Sequence, residues 1–224
     1  MGTADLEPRR RPRQRRSRER VERILDATAE LVERGGIDAL TTNAIAAQSG
    51  INVASLYQFF PNKYAVVAAL AARTAEQQRE TMLGYAASVA DQGDWRRLVE
   101  GVVDALVERM RTQRGLAALR RAVQSVPELR AAEVHADRVL ADAFGDELAR
   151  RAIGVDGDRR EAIARTLVEA GTRLLDLAME GGGGIEARLV VELKLMLVSY
   201  LANYFPDEVA APAKATSPES TPSN

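Results

Sequence analysis

Residues 41–60, TTNAIAAQSGINVASLYQFF, read as two short helices joined by a tight turn. Thr41 or Thr42 can cap a helix over Thr42–Ser49, because a short hydroxyl accepts an N–H left open at a helix start. Gly50 ends that helix, since glycine enters the left-handed conformation that a sharp turn needs. A second helix fits Val53–Phe59, and Pro61 closes it because the residue before proline avoids the helical region. Ala46 and Ala47 are small enough for the two helices to approach closely. Ile45, Ile51 and Leu56 supply apolar points that pin the pair to a further helix. The second helix opens with Asn52, Val53, Ala54 and Ser55, all short side chains. When a helix of this kind enters a DNA major groove, that end faces the base edges. The stretch has the physics of a helix-turn-helix.

Working outward toward the N-terminus, helical periodicity begins near Ser17. Val21, Ile24, Leu25, Thr28, Leu31 and Val32 fall on one face, with Glu22, Arg23, Asp26, Glu30 and Glu33 on the other. Gly35-Gly36 stops this helix. Before it lies a segment with prolines and charge but no periodicity, read as a flexible arginine-rich arm over residues 1–16. Between Pro8 and Arg20 stand eight arginines and one glutamate. Residues 1–72 carry a net charge of +3 and residues 73–224 one of −4, although the whole chain carries −1. A basic end on an acidic body points to a polyanionic partner for the first part alone. Arg15, Arg16 and Arg18 are the arm's candidate contacts, and such arginines can enter a narrow minor groove. A disordered solubilising tail is the alternative.

Toward the C-terminus, Asn62 is a good cap for a fourth helix from Lys63 to about Tyr85. Trp95, Leu98, Val99, Val102, Val103, Leu106 and Met110 form one apolar face, and a shorter helix follows around Leu116–Gln124. Pro127 can start a long one through Leu129, Ala136, Val139, Leu140, Phe144 and Leu148. Asp158 with Glu161 resembles a capping box before Ile163, Leu167, Ala170, Leu174 and Leu177. Gly181–Gly184 breaks the pattern, and 185–204 is apolar over most of its circumference. Residues 206–224, rich in Pro, Ala and Ser, read as a disordered tail. No β pattern stands out. The expected fold is all-α, with about nine helices: a three-helix DNA-binding domain over 17–72, joined by its fourth helix to a larger helical domain over 73–205.

The quoted stretch resembles the tetracycline-repressor (TetR) family. Ile45-Ala46-Ala47-Gln48-Ser49-Gly50-Ile51 is similar to that family's second helix and turn. Ser55-Leu56-Tyr57-Gln58-Phe59-Phe60-Pro61-Asn62-Lys63 is similar to the end of its recognition helix and the start of the fourth. The resemblance runs from about Val21 to Leu70. It implies that Thr42, Tyr57 and Lys63 contact phosphates, the last at a helix start whose dipole favours anions. It implies that Asn52, Val53, Ala54 and Ser55 face bases or the nearby backbone. Two positions depart from the family: Ala54 stands where glycine is usual and Tyr64 where an acidic residue is usual. The first bears on which base is read, and the second removes a negative charge from the DNA side.

The resemblance further implies a bacterial cytoplasmic regulator that blocks transcription as a homodimer on double-stranded DNA with a palindromic operator, released by a small-molecule effector. The last two helices would form the dimer interface, for which Leu167, Leu174, Leu189, Leu193, Met196, Leu197, Tyr200 and Tyr204 are candidates. One core cannot easily cover so apolar a final helix. For the effector pocket, Trp95, Met110, Leu119, Phe144, Thr172 and Arg173 are candidates by position and chemistry, each with ordinary core or surface as its alternative.

Other classes find little support. With no cysteine and a single histidine, His135 on a charged helix, most nucleophile–base pairs and metal sites cannot be built. No metal or cofactor is expected, and no enzyme. Gly181–Gly184 is not followed by the Lys-Ser/Thr of a phosphate loop. The sequence contains no run of about 18 apolar residues of the kind that spans a membrane. A nucleoid-type protein that binds DNA without sequence preference would explain the arm, but would not need the large apolar body.

Overall fold

The computed structural model describes residues 5–9, 14–88, 94–113, 115–150, 154–180 and 184–205. These residues form nine α-helices and no strand, as expected. The tail assigned to 206–224 lies outside the described residues, as do Arg10, Arg11 and Arg13 of the arm. None of the described helices is long and apolar enough to cross a membrane.

The N-terminal unit is α1 (Arg15–Gly35), α2 (Thr42–Ser49) and α3 (Val53–Phe59). Its local chemistry follows the residues. Thr41 Oγ1 accepts from Ala44 N at 3.1 Å and caps α2, and Gly50 closes that helix at φ 64°. Asn52 Oδ1 accepts from Ala54 N at 2.7 Å and caps α3. Asn62 Oδ1 accepts from Ala65 N at 2.9 Å at the start of α4 (Lys63–Ser88). Ile24, Leu25 and Val32 of α1 pack with Ile45, Leu56, Phe59 and Phe60, and with Val66, Val67 and Leu70 of α4. Arg73 on α4 donates to both Glu22 and Asp26 of α1 at 2.8 Å, lashing the two helices together beside that core.

Of the arm expected over 1–16, residues 1–4 and 10–13 lie outside the described residues, while the described part packs on the fold. Helix α1 already begins at Arg15, and residues 5–9 lie against the helix-turn-helix. Leu6 packs on its core, Asn62 Nδ2 donates to Asp5 O at 2.9 Å, and Arg9 N donates to Phe59 O at 2.9 Å.

The remaining helices are α5 (Trp95–Thr112), α6 (Leu116–Ser125), α7 (Arg130–Arg150), α8 (Gly157–Glu180) and α9 (Gly184–Leu201), with a 3-10 turn at Pro127–Leu129 leading into α7. Their core gathers Val99, Val103 and Val107 of α5, Leu140 and Leu148 of α7, Leu167 and Leu175 of α8, and Leu193, Leu197 and Leu201 of α9. The cap of α8 is Asp156, whose Oδ1 accepts from Arg159 N at 2.8 Å; Asp158, the expected cap, sits inside the first turn.

Two helices belong to both halves. Helix α4 carries Val66, Val67 and Leu70 in the first core and Met82 and Ala86 in a cluster with Leu98 and Val102 of α5. Helix α6 puts Leu119, Ala122 and Val123 into the first core while Leu116 joins the second. Gly115, at the start of α6, has φ 75°, and a Cβ there would lie 2.7 Å from Ala29 O on α1.

Helix α6 is also tied to α8 by a buried polar group. Arg120 makes a two-pronged ion pair with Asp176, which is 5% exposed, and Gln124 Nε2 donates to the same carboxylate at 2.8 Å. Asp137 on α7 lies beside this cluster. Burial raises its pKa from 3.8 to about 6; Arg120 pulls it down, while Glu169, Glu133 and Asp176 push it up.

Gly115→Ala should destabilise the chain, because a non-glycine residue in the left-handed region costs about 1–2 kcal/mol before the overlap with Ala29 is counted. A melting point lowered by roughly 2–4 °C per kcal/mol is the expected reading. Asp137 binds its proton more tightly folded than unfolded, so its contribution to stability rises as pH falls through about 6 and levels off near 4. Asp137→Asn should flatten that rise in melts taken across this range.

Candidate functional site

The basic N-terminal unit presents α3 at its surface. Ala54, Tyr57 and Gln58 are exposed along it, Asn52 is exposed at its start, and Val53 and Ser55 are half-buried. The Tyr57 hydroxyl lies 3.1 Å from Thr42 Oγ1 across the two helices, and the ring remains 39% exposed. That contact fixes where both hydroxyls point, so two residues expected at phosphates form one polar corner. The geometry refines two other roles. Asn52 Oδ1 is engaged as the α3 cap, which leaves its amide N–H groups to face outward. Lys63 Nζ donates to Ile37 O at 3.2 Å, so its ammonium also ties the start of α4 to the α1–α2 loop.

Arg9, the first arginine of the basic arm, meets the far end of α3, a contact that the sequence did not foretell. Its Nη1 donates to Tyr57 O at 3.4 Å and its N to Phe59 O, two carbonyls at the C-terminal end of a seven-residue helix. Such carbonyls lack helical partners, and a cation there also suits the helix dipole. No local pattern signals this contact, because it joins residues 48 apart. Gln58, also missed, was legible: it follows Ala54 by four positions, on the same exposed stripe of α3. Arg15, Arg16 and Arg18 stand exposed on the first turn of α1, where Arg15 pairs with Glu19.

A second candidate site is a cavity of about 100 Å³ inside the C-terminal body. Helices α4, α5, α7, α8 and α9 all contribute to its wall, and Phe205 closes it by stacking on Trp95 at 4.9 Å between ring centroids. Of the expected pocket residues, Trp95, Phe144 and Thr172 line it. Met110, Leu119 and Arg173 do not. Met110 lies on the same face of α5 but beyond the cavity, toward the end of that helix, Leu119 faces the N-terminal core, and Arg173 lies on the exposed side of α8. Met82, Leu83 and Gly171 are wall residues that the sequence reading missed.

A third feature is an apolar face without cover on the last two helices. The expected interface residues divide. Leu167, Leu193 and Leu197 are buried inside the chain's own core, because the inward stripe of α9 repeats every four residues through Leu193, Leu197 and Leu201. Leu174, Leu189, Tyr200 and Tyr204 are half-buried, and Tyr200 and Tyr204 meet edge-to-face at 5.5 Å. Met196 is exposed, together with Ile185, Val191 and Leu195 of the same apolar helix α9 and with Leu177 of α8.

Residues 24–70 match the family model described as "Bacterial regulatory proteins, tetR family", and residues 94–201 match "Tetracyclin repressor-like, C-terminal domain". The chain is 38% identical over 60 residues to the HTH-type transcriptional repressor KstR of Rhodococcus jostii, covering 27% of this chain and 28% of that one. It is 44% identical over 46 residues to KstR of Mycobacterium tuberculosis, covering 20% and 21%. The matches thus span about a quarter of the length of these curated relatives. Over whole chains, it is similar to a TetR-family transcriptional regulator from Streptomyces coelicolor, with 28% identity, a TM-score of 0.65, and 83% and 99% of the two chains covered. It is also similar to SmeT in complex with triclosan, with 25% identity, a TM-score of 0.59, and 91% and 99% covered. The helix-turn-helix of α2 and α3, the shared fourth helix and the helical body behind it are those of the TetR family of bacterial regulatory proteins, to which this chain belongs.

Proposed function

We propose that the chain is a cytoplasmic, homodimeric transcription regulator that represses by occupying a palindromic operator and leaves it when a small molecule fills the cavity. The observation that carries the reading is α3 itself: an exposed helix beginning with short side chains, capped by Asn52, with Tyr57 oriented by Thr42. Such a helix end fits a major groove, while the Tyr57–Thr42 corner and the arginines of α1 suit the flanking phosphates. The curated relatives bear the name of transcriptional repressor, and SmeT was solved with a small molecule; both support the reading by kinship. No catalytic role is part of it.

The dimer follows from the demands of specificity and from the uncovered apolar face. One helix-turn-helix reads few base pairs, and a two-fold pair reads two half-sites about one helical turn apart or more. Ile185, Leu189 and Met196 make one stripe of α9, with Val191 and Leu195 beside it. A second copy packed over these residues would remove them from water. Release follows from α4, whose first turns support α2 and α3 and whose last turns wall the cavity. A ligand that fits only one setting of α4 shifts the population toward that setting, because differential affinity alone moves such an equilibrium.

The direct test is a gel shift with DNA upstream of the protein's own gene, under excess competitor, followed by selection from random DNA. A discrete complex and an enriched inverted repeat are expected. Uniform binding with no enriched site would replace the regulator with an architectural protein.

Removal of residues 1–13 should weaken DNA binding and make the salt dependence shallower, by about 0.9 in the log–log slope for each phosphate that is no longer neutralised. An unchanged slope would confine the segment to its packing role against α3. Met196→Glu should turn a dimer into a monomer in light scattering behind size exclusion, with operator affinity falling more than tenfold and the melting point moving little.

A further inference from the structure

The wall of the cavity is chemically specific. Around it stand aliphatic and aromatic side chains from five helices, and three residues bring side-chain polar atoms: Thr172, Glu147 and Trp95. Two of these are engaged. Thr172 Oγ1 donates to Val168 O at 2.8 Å within its own helix. Glu147 accepts from Arg150 Nε at 2.9 Å one turn further along α7, so its charge is neutralised from outside the cavity. Trp95 differs. It is 8% exposed, and its Nε1 is buried with no hydrogen-bond partner among the described residues. A buried donor without an acceptor is costly, on the order of 1–3 kcal/mol, and natural structures rarely leave one so.

Gly171 adds a second, independent observation. It lies mid-helix in α8, buried on the cavity wall, and a Cβ built there would meet nothing within 4 Å. Alanine would fit without overlap and would favour the helix by about 1 kcal/mol. Glycine at this position therefore sacrifices helix stability and keeps space open. The space, about 100 Å³, is somewhat below the 150 Å³ of a dry apolar cavity known to accept benzene. Met82, an unbranched and adaptable side chain, forms part of the wall on α4. A ring with one small substituent would fill the cavity and press on that side chain.

From this we infer that the effector is an uncharged, mainly apolar molecule, about the size of a substituted benzene ring in its buried part, with a hydrogen-bond acceptor that meets the Trp95 indole N–H. The inference rests on the cavity being the effector site. Ions are disfavoured on energetic grounds: a carboxylate loses its hydration there with no cation on the wall, and an ammonium meets only Glu147, which Arg150 already pairs. Ligand entry is transmitted because the wall includes Met82, Leu83 and Ala86 near the end of α4.

The test uses four near-isosteric probes at neutral pH: acetophenone, ethylbenzene, benzoate and benzylammonium. Trp95 is the only tryptophan in the chain, so its emission reports directly on occupancy. Calorimetry measures the affinities in variants that lack it. Acetophenone should bind at least tenfold more tightly than either ion and several-fold more tightly than ethylbenzene. Trp95→Phe should reduce acetophenone to the level of ethylbenzene. Gly171→Leu should abolish both while leaving the melting point at or above that of the parent. Benzoate or benzylammonium binding as tightly as acetophenone, with Gly171→Leu removing it, would overturn the uncharged class. Equal affinities of acetophenone in the parent and in Trp95→Phe would overturn the role of the indole N–H. Absence of any probe binding would overturn the ligand class and the cavity together. Acetophenone binding that Gly171→Leu removes, but that leaves DNA binding unchanged in a gel shift, would uphold the ligand class and refute the effector reading alone.

Discussion

A single helix of 26 residues, α4, is buried at one end against the helix-turn-helix and at the other against α5 and α7. Because a helix rises about 1.5 Å per residue, the two ends of this packing lie about 30 Å apart on one stiff rod. Neither core is complete without it. Val66, Val67 and Leu70 seal the first, while Met82 and Ala86 seal the wall between α4 and α5. Close-packed interiors deform little, so a displacement at one end of the rod has to be met by repacking at the other.

A second constraint limits how α4 can move. Helix α6 is seated in the N-terminal core through Leu119, Ala122 and Val123, and is tethered to α8 through Arg120 and Asp176. Gly115 lets the start of α6 come up against the backbone of α1 at Ala29. The N-terminal unit is thus held at two points, α4 and α6, by a body whose centre is a cavity. Breaking the Arg120–Asp176 pair one partner at a time leaves a buried charge, which penalises any state in which α6 separates from α8. The raised pKa of Asp137 comes first from its own burial, with Glu169, Glu133 and Asp176 pushing the same way against the pull of Arg120.

What the sequence disclosed divides along a physical line. Boundaries set by local chemistry were legible: Thr42–Ser49 and Val53–Phe59 fall where Gly50, Asn52 and Pro61 place them, and Asn62 caps α4. Choices set by which neighbour a face meets were not. Leu119 is an apolar residue on α6, but helical periodicity does not say which of two cores a face enters, and for Met110 it does not say how far along α5 the cavity reaches. Leu193 and Leu197 belong to a helix too apolar for one core; on α9 the inward stripe and the outward stripe look alike until α5 and α8 select one. The Arg9–Phe59 contact and the Arg120–Asp176 pair join residues far apart in the chain, and both were out of reach of local reasoning. Gly171 was invisible for the opposite reason: its contribution is empty space, which no sequence pattern records.

The contact of Arg9 with the end of α3 has a practical side. The backbone that closes α3 comes from a segment only a few residues ahead of α1, and that segment is pinned again where Asn62 holds Asp5. Anything fused immediately before Asp5 therefore pulls on a splint rather than on a loose string. An affinity handle there would disturb the end of α3 that it was meant to help study.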